Sequence, residues 1–214
     1  MQFNAQKIFI TGGMASGKSN FAEEAALSLY KSSIPAGGHQ DLKEKGCGSL
    51  HFIATAIQGG KSEKNGTGEG KYEDEEMALK IKKHKDKRDK AFIVHENFKD
   101  LIGEICGVCE SLDSAAYLEK SVILIDSMTM WLSSIFQDIS NYDSAFESVI
   151  KFSEYLSKIK CSVITVADSL SFNMVPVDKY IRKFIELNGL MEQALSAVSD
   201  KAYCVIAGNP VVLK

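Results

Sequence analysis

The sequence predicts an α/β chain: a mostly parallel sheet flanked by helices, with an antiparallel strand at its C-terminal edge. Three observations lead there. Short β-branched apolar runs recur along the 214 residues, longer segments with helical periodicity separate them, and the runs are apolar almost continuously. Strands buried on both faces have this character, and parallel neighbours need a helical crossover between them.

Taken in order, the runs are Lys7 to Thr11, Leu50 to Ala56, Ala91 to Val94, Ser121 to Asp126, Ser162 to Ala167 and Ala202 to Ala207. After the last comes Gly208-Asn209-Pro210 and then Val-Val-Leu, which reads as a hairpin adding the antiparallel edge strand. Two stretches break the rhythm. Ser32 to Ser49 and Gly59 to Asp74 are rich in Gly, Ser, Lys and Glu without an apolar period, and are expected to be flexible surface insertions. The length suits one domain spanning residues 1–214, and no internal repeat divides it.

The composition, 45% apolar and 25% charged, is that of an ordinary globular protein. Lys and Arg total 25 against 28 Asp and Glu, and the formal charge of -3 argues against nucleic acid or an anionic membrane as partner. Basic residues gather locally, in Lys80-Ile-Lys-Lys-His84-Lys-Asp-Lys-Arg88-Asp89, a run that by itself marks a solvated face or a contact patch. Five cysteines, Cys47, Cys106, Cys109, Cys161 and Cys204, fit a reducing cytoplasm better than a disulfide framework. Cys106-Gly-Val-Cys109 has no second pair to complete a metal site and is expected to pack a helix. The N-terminus lacks the pattern of a secretory signal, and no apolar run approaches the ~20 residues of a membrane span. In the cytoplasm the Asn65-Gly-Thr67 sequon carries no meaning.

The first strand runs into Gly12-Gly13-Met14-Ala15-Ser16-Gly17-Lys18-Ser19, and a helical stretch follows from Asn20. This is G-x-x-x-x-G-K-S with a strand before and a helix after, the context that makes a phosphate loop. Its glycines let successive N–H groups curl around phosphate oxygens, and the helix N-terminus adds positive potential. Lys18 would bridge the outer phosphates and Ser19 would ligate Mg²⁺. Val122-Ile-Leu-Ile-Asp126, an apolar strand ending in a carboxylate, supplies the acid that such a Mg²⁺ needs nearby. Together they predict a P-loop NTPase of the RecA-like kind, binding nucleotide and transferring phosphoryl groups; the acceptor is left open.

The remaining strand ends carry more specific residues. Phe52-Ile-Ala54-Thr55-Ala56 follows strand two, Asp126-Ser-Met-Thr129-Met-Trp131-Leu132 follows the acidic strand, Val175-Pro176 precedes a long helix, and Ala207-Gly208-Asn-Pro210 stands near the end. This ordered set resembles the bifunctional adenosylcobinamide kinase and adenosylcobinamide-phosphate guanylyltransferase family of cobalamin biosynthesis. The family's phosphate loop reads G-G-A-R-S-G-K-S, its strand-two end I-A-T-A, and its acid-strand motif L-D-C-L-T-L-W-L. It also carries E-M-x-x-R-I-x-x-H-x-x-x-R-P before a strand ending in Glu; here that run is Glu76-Met77 through His84 to Arg88-Asp89, with Glu96 as the later acid.

The resemblance implies two reactions. A nucleoside triphosphate, ATP or GTP, gives its γ-phosphoryl group to the aminopropanol hydroxyl of adenosylcobinamide. GTP then guanylylates His84, and adenosylcobinamide phosphate takes the GMP, giving adenosylcobinamide-GDP. It assigns His84 and Lys18 to catalysis, and Ala54, Thr55, Ala56, Lys85, Asp86, Lys87, Arg88 and Glu96 to nucleotide contacts beside the phosphate loop and Asp126. It also implies a homo-oligomer, a trimer in particular. Helical spacing is compatible with the nucleophile's role: Met77, Ile81, His84 and Arg88 fall within an arc of roughly 60°, which turns the imidazole with the apolar stripe, away from the lysines.

Departures from the family pattern are equally legible. After strand five the family has S-N-E-V-G-x-G-I-V-P, whereas this chain has Ala167-Asp168-Ser169-Leu-Ser171-Phe-Asn173-Met-Val175-Pro176. Glu192 stands where Asn is common, and Asp89 replaces the proline after Arg88. An altered loop at 168–173 leaves open the loss of one activity. Another small-metabolite P-loop kinase, or a nucleic-acid-binding P-loop protein using the basic run, would share the loop and Asp126 without a covalent His84.

Overall fold

The computed structural model describes residues 4–33, 48–55, 88–112, 115–170 and 175–214. Strands β1 (Lys7–Gly12), β2 (Leu50–Ala54), β3 (Ile93–His95), β4 (Val122–Asp126), β5 (Ser162–Asp168), β6 (Lys201–Ile206) and β7 (Asn209–Val212) form one sheet in the order β3-β2-β4-β5-β1-β6-β7. All neighbours are parallel except β6 and β7, the expected C-terminal hairpin. One strand, β5, separates the phosphate-loop strand from the acid-ended strand β4, which is the RecA-like arrangement. The helices are α1 (Lys18–Ser33), α2 (Leu101–Glu110), α3 (Ala115–Lys120), α4 (Met128–Ile135), α5 (Tyr142–Lys158) and α6 (Lys179–Val198). Their starts are set locally. Asp100 accepts from the N–H groups of Ile102 and Gly103, Ser127 from Met130, and Asp178 from Ile181, each satisfying donors that a first helical turn leaves unpaired.

The strands are apolar at consecutive positions because alternate residues feed two cores. Ile8, Ile10, Phe52, Leu124, Ile164 and Val166 pack with Ala22, Ala26 and Tyr30 of α1. Phe9, Ile53, Ile123, Ile125 and Val163 pack on the other face with Ile105 of α2, Trp131 and Leu132 of α4, Phe152 of α5 and Met191 of α6. Burial on both faces holds for β1, β2, β4 and β5 and fails at the margins, where β7 is exposed throughout and Ile93 and Val94 of β3 are 51% and 43% exposed. An edge strand has a neighbour on one side alone, so its side chains meet fewer partners.

Several boundaries differ from the sequence reading: β3, expected over Ala91 to Val94, is found at Ile93–His95, and two others have a visible cause. Helix α1 runs to Ser33, whose hydroxyl donates to the carbonyls of Tyr30 and Lys120, and Gly48 and Ser49 are packed against the Lys120–Ser121 backbone. The ends of the expected 32–49 insertion therefore belong to the folded frame. Residues 34–47 and the expected 59–74 insertion lie outside the described residues. Strand β2 stops at Ala54, because Thr55 turns its N–H to the Asp126 carbonyl and its hydroxyl to Ser127. Of the Cys106-Gly-Val-Cys109 run on α2, Cys109 packs against the core that buries Cys161, whereas Cys106 turns to Glu110 at the surface; every described cysteine is a free thiol. Cys47 lies outside the described residues.

At the β2–β3 margin a chain of hydrogen bonds runs from the interior to the surface. Ser49 Oγ lies 2.5 Å from His51 Nε2, His51 Nδ1 is 2.9 Å from His95 Nε2, and His95 Nδ1 is 2.7 Å from Glu104 of α2. Burial, and secondarily the neighbouring His95, push His51 down to about 4. An unfolded chain takes a proton on this histidine near pH 6.5, whereas the folded chain does so only near pH 4. The contribution of neutral His51 is therefore complete above pH ~6.5 and is lost as the pH falls toward 4, on the order of 3 kcal/mol in all. Urea midpoints across this range should fall less steeply in a His51→Asn variant than in the unaltered protein. Equal slopes would show that His51 titrates normally in the fold.

Candidate nucleotide and phosphoryl-transfer site

The phosphate loop begins where β1 ends. Val205 of β6 stands opposite Gly12, and a side chain at Gly12 would place its Cβ 2.5 Å from the Val205 carbonyl oxygen and 2.7 Å from Ser16 Oγ. Nothing larger than glycine fits there. Gly17 has φ +94°, the left-handed region, and lies against Gly208, whose N–H donates to the Ser16 carbonyl at 2.8 Å. The loop's curl is closed by the Ser16 N–H to the Gly13 carbonyl at 3.2 Å. The Ala207-Gly208 turn at the end of β6 thus braces the phosphate loop.

Lys18 folds inward. Its ammonium donates to the Gly13 carbonyl at 3.2 Å and pairs with Asp168 at 2.6 Å, with only 10% of its side chain exposed. Asp168 is the last residue of β5 and stands opposite Gly12 in the register. Its backbone is fixed on every side. The Asp168 N–H donates to Thr129 Oγ1 at 2.8 Å, its carbonyl accepts from Asn188 Nδ2 at 2.9 Å, and the next N–H, of Ser169, donates to the Gly12 carbonyl at 2.9 Å. Thr129 in turn donates to Asn188 Oδ1 at 3.1 Å, so α4, α6, β1 and β5 all converge on one residue. Beside it, Thr11 donates to the carboxyl of Glu192, which burial pushes above the usual carboxylate range; the Thr11 bond opposes that rise and the charge of Asp168 adds to it.

On the other side of β4, Asp126 closes the acidic strand half-buried. Thr55 joins the ends of β2 and β4: its hydroxyl donates to the Ser127 carbonyl at 2.5 Å and accepts from the Ser127 N–H at 2.8 Å. In this arrangement Thr55, expected as a nucleotide contact, is 5% exposed and holds the turn that orients Asp126. The Arg88 guanidinium lies 3.5 Å above the Phe52 ring. Burial lowers its pKa, while the charges of Glu23, Glu96 and Asp126 oppose that fall, so Arg88, Glu96 and Asp126 share one electrostatic neighbourhood. Arg88, Lys90, Phe92 and Glu96 line an open cavity of about 580 Å³. Ser16 Oγ and Arg88 Nε, like Gln6 Oε1 and Thr165 Oγ1, are shut from solvent with no hydrogen-bond partner among the described residues; the first two belong to the expected nucleotide set.

The structure therefore gathers Gly12 to Ser19 with Asp168, and Arg88 and Glu96 with Asp126. Ala54 ends β2 beside Asp126 in the register, while Ala56, His84, Lys85, Asp86 and Lys87 lie outside the described residues. Met14 is the exposed tip of the loop, at 87%. Asp168, Thr11, Thr129, Asn188 and Glu192 escaped the sequence reading as working parts of the site. Asp168 and Glu192 were visible there only as departures from a pattern; their proximity to Lys18 and Thr11 depends on β5 and α6 packing around β1.

A glycine-rich loop between β1 and α1, an acid-ended strand and one intervening strand define a P-loop nucleotide-binding protein. Residues 8–213 match the sequence model of the cobinamide kinase / cobinamide phosphate guanyltransferase family, and the chain belongs to that family. It is 25% identical over 207 residues to the bifunctional adenosylcobalamin biosynthesis protein CobP of Pseudomonas aeruginosa, covering 96% of this chain and 95% of the relative. It is 24% identical over 153 residues to the bifunctional adenosylcobalamin biosynthesis protein CobU of Salmonella typhimurium, covering 66% and 80%. Among solved structures, a KaiC-like protein of the hyperthermophilic archaeon Pyrococcus horikoshii aligns at TM-score 0.43 and 15% identity, over 93% of this chain and 70% of that one. No helix among the described residues is long and apolar enough to cross a membrane.

Replacing Gly12 by Ala should cost about 2 kcal/mol of stability and weaken triphosphate binding at least tenfold, because the new Cβ meets the fixed Val205 backbone as well as Ser16 Oγ. Thermal unfolding and nucleotide titration of the variant check both. A variant with unchanged affinity would show that the loop can move off β6.

Proposed function

We propose that this chain phosphorylates adenosylcobinamide and then transfers GMP from GTP to the phosphorylated product through a guanylyl-histidine at His84. The observation that carries the reading is the match of residues 8–213 to the family in a chain whose phosphate loop and Asp126 strand are built as described. In the kinase step the loop's N–H groups and Lys18 hold the outer phosphates. Ser19, in the first turn of α1, and Asp126 offer the hard oxygen donors that suit Mg²⁺, which needs few protein ligands when phosphates supply the rest. Bound there, Mg²⁺ would neutralise charge on the phosphates.

In the guanylyl step a neutral imidazole nitrogen of His84 forms a bond to the α-phosphorus of GTP as the bond to the bridging oxygen breaks and pyrophosphate leaves. The hydroxyl or phosphate oxygen of the acceptor then displaces the histidine; for this family's substrate it is the phosphate of the phosphorylated corrinoid. Arg88, whose Nε has no partner among the described residues and whose charge is coupled to those of Glu96 and Asp126, supports the reading as a phosphate or base contact. Both ATP and GTP serve as substrates, and the cytoplasm, where triphosphates are abundant and thiols stay reduced, is the compartment that suits free thiols at all four cysteines among the described residues. A homo-oligomer belongs to the same reading.

The test uses GTP labelled in the α-phosphate with Mg²⁺. The denatured protein should retain an acid-labile, alkali-stable label, and a His84→Ala variant should retain none. Label persisting in that variant would remove the nucleophile assignment. Lys18→Met should separately lower corrinoid phosphorylation by ~100-fold or more, read as product formed from labelled γ-phosphate.

A further inference from the structure

The carboxylate paired with Lys18 in the structure is Asp168, and the fold fixes that residue with more care than an incidental counter-ion requires. Its N–H, its carbonyl and the following N–H are each tied to a different element, through Thr129, Asn188 and Gly12. Only its side chain is left to act, and that reaches the phosphate-loop lysine at 2.6 Å. Placed on β5, Asp168 stands between the loop that grips the triphosphate and the strand that ends in Asp126. The other carboxylates nearby are engaged elsewhere: Glu192 accepts from Thr11, and Asp126 shares the neighbourhood of Arg88.

A triphosphate competes for the same lysine. When Lys18 turns to the outer phosphates, Asp168 loses its cation while its backbone stays fixed beside the γ-phosphoryl position. A carboxylate left there accepts a hydrogen bond from whatever donor arrives, and the donor the reaction brings is the acceptor alcohol.

We propose that Asp168 trades Lys18 for the acceptor hydroxyl: it neutralises the lysine before nucleotide binds and then takes the alcohol's proton during phosphoryl transfer. In that step the alcohol oxygen bonds to the γ-phosphorus, and the bond from phosphorus to the β–γ bridging oxygen breaks with its electron pair leaving on the diphosphate. The hydroxyl proton passes to Asp168, which returns it to water. The proposal rests on the kinase half of the proposed function.

The experiment compares unaltered protein with Asp168→Asn and Asp168→Glu, measuring Mg²⁺-triphosphate affinity and the turnover of corrinoid phosphorylation. The amide keeps the shape and removes the charge, so Asp168→Asn should bind triphosphate roughly two- to fivefold more tightly, since no ion pair has to be broken. Its kcat should fall by ~100-fold or more with little change in the KM for corrinoid, and Asp168→Glu should recover part of that loss. Retained nucleotide binding shows that the variant is folded. An unchanged kcat in Asp168→Asn overturns the proton-acceptor role, and unchanged or weaker nucleotide affinity overturns the exchange of partners. If unaltered protein phosphorylates no corrinoid, the proposed function fails and takes the proton role with it; an active protein with an equally active Asn variant sinks the role alone.

Discussion

Strand β1 has parallel neighbours on both sides, and that pairing decides what surrounds the phosphate loop. Register with β5 puts Gly12 opposite Asp168, and register with β6 puts it opposite Val205. Shifting either pairing by one residue would turn every side chain of that strand to the opposite face. The two cores, one on each face, hold the register against such a slip. A loop of eight residues is thereby given a floor from β6, a carboxylate from β5 and a brace from the turn at Gly208, though all three lie more than a hundred residues from the loop in sequence.

Charge around the site is distributed by the same geometry. Three acidic side chains meet two cations and a hydroxyl, and each finds a different kind of partner: Asp168 an ammonium, Asp126 the field of a guanidinium, Glu192 a threonine. Like charges repel more strongly as they leave water, so each partly buried acid needs a fixed partner, and Asp168 in turn holds the lysine.

Much of this is legible in the sequence. Gly12 to Ser19 announces the loop because strand, glycines and lysine occur in a fixed local order, and Val122 to Asp126 announces the acid strand for the same reason. The hairpin at Gly208 to Pro210 is equally local. Edge exposure at Ile93 and Val94 is not, because a short apolar run looks the same whether a sheet continues beyond it or stops. Nor can the sequence disclose what Thr55 and Asn188 do. Both are polar residues whose partners, Ser127 and Asp168, become neighbours only through packing. Sequence patterns name residues that serve a motif; they are silent about residues that hold two motifs together.

The anchoring of Ser33 and Gly48 has a consequence for how this fold can vary. Ser33 bonds the Lys120 carbonyl, Gly48 approaches that same carbonyl as closely as glycine permits, and the Tyr30 hydroxyl holds the Gly48 carbonyl at 3.1 Å. The two ends of the span between α1 and β2 are therefore pinned at one point on the sheet's far rim, away from the phosphate loop. Each doubling of the chain between them costs only about 0.6 kcal/mol in closure entropy. The fold carries at that rim a port where sequence can be added or removed while β1, β5 and β6 keep their grip on the loop.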